Sequence, residues 1–160
     1  MCKAFMLSVT LILSSVGFAA SANDPLHLAG DWICQGYDSH DGAYKDDTLT
    51  LTLDEKNSDF KHNYGAYHFK LAGEGVLYLG EAVANGNMLA IYFANQAKES
   101  QTDHGVGIAM ITHDLNEKGI SNAVLHKFYY ESEYMGGGHG SETCVKQNKH
   151  KKLKSPKAIQ

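Results

Sequence analysis

The chain has 160 residues, 14 lysines, no arginine and 18 acidic side chains, with a formal net charge of −4. The charge is unevenly placed: Asn23 to Val145 holds seven lysines and all 18 acids, a net of −11, whereas Lys146 to Gln160 holds six lysines and no acid. So acidic a body argues against a nucleic-acid partner, because phosphate contacts need a basic surface.

The amino end reads as an export signal. Met1-Cys2-Lys3 is short and basic, Ala4 to Phe18 is apolar or small without a charge, and Ala20-Ser21-Ala22 offers small residues at a cleavage site. These features predict a cleavable signal peptide over residues 1–22 and a periplasmic or secreted protein. No other stretch approaches the roughly 20 apolar residues of a membrane-spanning helix, so no transmembrane segment is expected. Cys2 precedes the apolar stretch and no cysteine stands at the cut, which argues against lipid attachment.

Cleavage before Asn23 leaves 138 residues, enough for one domain with one core. It also leaves Cys34 and Cys144, an even pair that predicts a disulfide in an exported chain. Closing a loop of more than 100 residues stabilises by roughly 4–5 kcal/mol in the chain-entropy model.

Strand signals then follow in order. Leu28–Tyr37 puts Trp32 and Cys34 on one face, and Thr48–Leu53 alternates threonine with Leu49, Leu51 and Leu53. In Tyr64–Leu71, the residues Tyr67, Phe69 and Leu71 share a face opposite His68 and Lys70. Gly75–Ala84 and Asn87–Gln96 flank Asn85-Gly86, a strong hairpin turn. Gly105–Asp114 and Gly119–Ser132 flank a second turn at residues 116–119, and Ser141–Gln147 is a last short run. Eight strands at regular spacing, with no apolar period of 3.6, predict an all-β, eight-stranded antiparallel up-and-down barrel over residues 23–147. The predicted disulfide ties its first strand to its last. Residues 148–160 form a basic, disordered tail. The lysines from Lys146 to Lys157 could touch an anionic surface, or fold back on the acidic body.

Gly30-Asp31-Trp32, at the start of the first strand, resembles the G-x-W signature of lipocalins and, more loosely, of avidin-like barrels. The resemblance implies that Trp32 packs across the closed end and that the other end opens onto a ligand cavity. One departure stands out: the stretch from Glu131 to Cys144, with Gly136-Gly137-Gly138-His139-Gly140, reads as a loop where lipocalins carry a helix. A weaker likeness, resting on histidine content, is to small exported hemin-binding proteins of Gram-negative bacteria.

An eight-stranded barrel holds at most one small ligand among its inward side chains. All nine histidines lie in the mature chain. In Val124–Tyr130, an outward Lys127 would turn His126, Phe128 and Tyr130 inward, where His126 could ligate haem iron. The alternative is a core histidine satisfied by hydrogen bonds. With Tyr67, Phe69 and His139, these residues form the candidate ligand site, and a small hydrophobic molecule, haem in particular, is the expected ligand. Lys61, Lys70, Lys127 or the basic tail would have to meet the haem propionates. Val106, Ile108 and Met110 are expected to face inward.

Catalysis has little support. There is no G-x-S-x-G elbow, no C-x-x-C or H-E-x-x-H metal pattern, and the acidic pairs Asp46/Asp47 and Glu131/Glu133 read as surface carboxylates. Three function classes follow: a non-enzymatic small-ligand-binding barrel, a surface protein-binding module of adhesin type, and a small cavity enzyme of isomerase or cyclase type using His126 as acid or base.

Overall fold

The computed structural model describes residues 24–97, 102–115 and 121–147. The expected signal peptide and the basic tail beyond residue 147 lie outside these residues, as does the turn expected at 116–119. The strands are β1 (Gly30–Asp38), β2 (Gly42–Leu53), β3 (Tyr64–Ala72), β4 (Leu77–Asn85), β5 (Met88–Asn95), β6 (His104–Leu115), β7 (Ser121–Glu131) and β8 (Gly138–Lys146). Each pairs antiparallel with the next and β8 pairs with β1, so the sheet closes into an up-and-down barrel with no free edge. The architecture is the all-β, eight-stranded antiparallel up-and-down barrel expected from the strand spacing. Among the described residues no helix is long and apolar enough to cross a membrane.

Alternation along the strands fills one end of the barrel. Trp32, Leu49, Leu51, Tyr67, Phe69, Leu89 and Leu125 are inward and almost fully buried. Trp32 is wholly shielded, and its indole N–H donates to the Leu28 carbonyl at 3.1 Å, so the segment before β1 crosses this end as a plug. Tyr67 donates to Asp24 of the same segment at 2.9 Å. Lys146 bonds the His27 carbonyl and lies 5.5 Å from the Trp32 ring centroid. It therefore belongs to the closed end of the barrel rather than to the tail.

Cys34 and Cys144 are direct partners in the β1–β8 register and form a disulfide across the seam. This bond fits an oxidising compartment. The hairpin between β4 and β5 turns on Gly86, whose φ of +61° suits a residue without a Cβ. In β2 the register shifts opposite Cys34/Gln35, leaving Asp46 as an extra residue with φ +65°. This bulge places both Tyr44 and Asp47 along the inner wall.

The stretch expected as a loop between Glu131 and Cys144 is mostly strand. Only residues 132–137 connect β7 to β8, with a single 3-10 turn at Tyr134–Gly136. Gly138 and Gly140 lie on the inner face of β8, opposite Glu131 and Tyr129. A Cβ on Gly140 would stand 2.2 Å from the Tyr129 ring, so glycine is required there to seat the tyrosine.

Candidate functional site

Above the packed end, the barrel opens. The mouth lies beside the β1–β2, β3–β4 and β7–β8 connections and holds a cavity of about 900 Å³. Its wall combines aromatic rings (Tyr44, Tyr78, Phe93, Tyr129, Tyr134) with carboxylates (Asp38, Asp47, Glu131), and Asp41, Asp46 and Glu74 complete the acidic lining.

The floor is an ion pair. Lys127, only 2% exposed, points into the barrel and pairs with Glu142, its cross-strand neighbour on β8. Its ammonium lies 5.4, 5.6 and 5.1 Å from the ring centroids of Phe69, Phe93 and Tyr129. Two charges withdrawn from water are tolerated when the remaining donors and acceptors are met. Here Tyr44 donates to the second Glu142 oxygen at 3.3 Å and the three rings face the ammonium.

The other inner carboxylates follow a common pattern. Tyr129 donates to Asp38 at 2.9 Å, and Asp38 also accepts from the backbone of His40 at 2.7 Å. Tyr78 and Asn95 donate to one oxygen of Asp103, at 3.0 and 2.7 Å. Burial first, then Glu142 at Tyr44, Asp103 at Tyr78, and Tyr44 followed by Asp38 at Tyr129, push these three hydroxyls far above the ordinary phenol range, so all three stay protonated as donors.

Glu131 breaks the pattern. It is 4% exposed, lines the cavity and makes no hydrogen bond among the described residues. Burial first, then the charges of Asp103 and Asp38, push its carboxyl up to about 7, against a downward pull from Lys127. The folded state therefore holds this proton more tightly than the unfolded chain, where the group titrates near its ordinary 4.5. The stability tied to it is fully present below about pH 4.5 and is lost as pH rises through about 7. In urea unfolding across that window, the natural chain should lose up to about 3 kcal/mol relative to Glu131→Gln. Parallel stability profiles for the two proteins would refute this.

Several expected site residues lie elsewhere. His126 faces outward, between Thr112 and Thr143, whose hydroxyls lie 3.4 Å from its two ring nitrogens. Phe128 and Tyr130 are 62% and 54% exposed on the same outer wall, and His139 is exposed on β8. The inward and outward faces of β7 are thus the reverse of the expectation, because Lys127 is held inside by Glu142 and the aromatic rings. Val106, Ile108 and Met110 are likewise exposed rather than inward. On β6 the inner positions belong to Gly105, Gly107 and Ala109, which leave room for Phe93, Tyr129 and Glu131. Tyr67 and Phe69 do face inward, as expected, but both belong to the packed core. Among the described residues that line the cavity there is no histidine.

No family model, curated protein or solved structure matches this chain. Glu131, Asp47 and Lys127 are the mouth residues that the pattern of the sequence assigned to the surface. Their signal was cross-strand: Gly138 and Gly140 stand opposite Glu131 and Tyr129, and small residues facing large ones mark the crowded inner face.

Proposed function

We propose that the protein is a small-ligand-binding barrel whose site is the open mouth rather than the outer wall at His126. The supporting observation is a cavity of about 900 Å³ above a packed floor, lined by rings and by polar groups held in place by hydrogen bonds. This size and mixed lining match sites that enclose one small molecule. Among the described lining residues there is no histidine to meet haem iron, and the carboxylates of the cavity oppose propionates. Haem is therefore kept as one probe among several.

Calorimetric titration with tyramine, oleate and hemin tests the site. At least one probe should saturate at one per chain. Tyr134→Ala, at the rim, should weaken it at least ten-fold, whereas Phe128→Ser should leave it unchanged. No saturation by any probe, or weakening by Phe128→Ser alone, would overturn the reading.

A second reading has its own observation. Val106, Ile108, Phe128 and Tyr130 are 57%, 60%, 62% and 54% exposed and adjoin one another on β6 and β7, beside Tyr92 and Val83. A continuous apolar face of this kind is typical of a protein-binding surface, as in the adhesin-type class.

A further inference from the structure

Building on the cavity reading, we propose that the mouth seats a compact organic amine, its ammonium group held by Glu131 and by the rings of Tyr78, Phe93, Tyr129 and Tyr134.

Charge balance points to a cation. The buried charged side chains among the described residues are Asp38, Asp103, Glu131 and Glu142 against Lys127 alone. Glu142 is matched by Lys127 and Asp38 by the Tyr129 hydroxyl and backbone donors, and Asp103 accepts from Tyr78 and Asn95 at one oxygen while its other oxygen has no partner among the described residues. Glu131 makes no hydrogen bond among the described residues, although it is more than nine-tenths buried and lines the cavity, and Lys127, already paired with Glu142, is the positive charge acting on it. A buried carboxylate without a donor carries a large desolvation cost, which an incoming N–H donor with a positive charge offsets.

The aromatic rings line the same cavity as Glu131. A Cβ built on Gly105 would stand 2.7 Å from the tip of the Phe93 ring and 2.9 Å from Glu131 Cγ, so ring and carboxylate converge there. Phe93 meets Tyr78 and Tyr129 edge to face, at centroid distances of 5.6 and 5.8 Å. Tyr134 hangs over the mouth, steadied by an edge contact of 5.8 Å with His40, which in turn bonds the Gly137 carbonyl at 3.0 Å. Lys127 already shows how this interior treats an ammonium group: one carboxylate and three rings. The upper cavity offers a second seat of the same composition.

A metal ion fits less well. Among the described residues, the ligand atoms that come within 4.8 Å of one another in a group of three belong to Cys34, Glu142 and Cys144, and the two sulfurs are joined in the disulfide. The mouth carboxylates are spread around the wall, which suits a ligand with a body as well as a charge.

Titrations at pH 8 decide the matter, using tyramine, cadaverine and choline with tyrosol as the uncharged counterpart of tyramine. At least one amine should bind at one per chain. Tyramine should exceed tyrosol at least ten-fold, and Glu131→Gln should erase that preference while leaving the fold intact by circular dichroism. Equal binding of tyramine and tyrosol, or an amine affinity unmoved by Glu131→Gln, overturns the inference. Saturation by oleate or hemin, weakened by Tyr134→Ala, with no amine bound, overturns the amine assignment but leaves the cavity reading standing. No binding of any probe removes both.

Discussion

Lys127→Met is expected to destabilise the barrel by about 3–5 kcal/mol, because it strands the carboxylate of Glu142 in the interior. Lys127 and Glu142 are both about 2% exposed, so each charge is largely withdrawn from water. Methionine keeps the volume and the contact with Phe69, Phe93 and Tyr129, so the loss isolates the charge rather than the packing. Glu142→Leu alone should cost a similar amount by stranding the ammonium. The double variant should recover most of either loss, since neither charge is then left unpaired. Urea unfolding of the four proteins gives the coupling directly. Additive losses in the double variant would show that the two side chains are not energetically paired.

The disulfide carries an effect of the same size by a different route. Cys34 and Cys144 are 110 residues apart in sequence, so their bond closes nearly the whole barrel into one loop. Replacing both with alanine should lower stability by about 4–5 kcal/mol, mainly by restoring freedom to the unfolded chain. The folded barrel should persist in mild conditions, because β1 and β8 also pair along seven residue positions from Trp32 to Asp38. The natural protein under reducing conditions should behave like the variant. A loss below about 1 kcal/mol would mean that the unfolded chain is already held compact by other contacts.

The barrel was legible because its outline depends on simple signals. Leucine–threonine alternation in β2, the Asn85-Gly86 turn and the positions of Trp32 and Cys34 all act locally, and two cysteines name one seam. The site was less legible because its logic reverses the usual one. On β6 and β7 the large apolar residues Val106, Ile108, Phe128 and Tyr130 face out, while Gly105, Gly107, Lys127 and Glu131 face in. A rule that sends apolar side chains inward misassigns both strands by one position, and a one-residue shift exchanges every side chain between faces. That shift is what placed His126 in the cavity. Interior glycines make room for Tyr44 and Tyr129, whose hydroxyls hold Glu142 and Asp38. Such pairings appear only when strand register is known, because the partners lie about 90 to 100 residues apart in sequence.

The most direct test of the mouth as binding site is methyl NMR during a tyramine titration. Leu71 and Val76 line the cavity, whereas Val106, Ile108 and Met110 cover the outer wall. Saturable shifts of the Leu71 and Val76 methyl signals, with those of Val106, Ile108 and Met110 unmoved, are the expected result. Shifts confined to the outer wall, or none in either set, would contradict it.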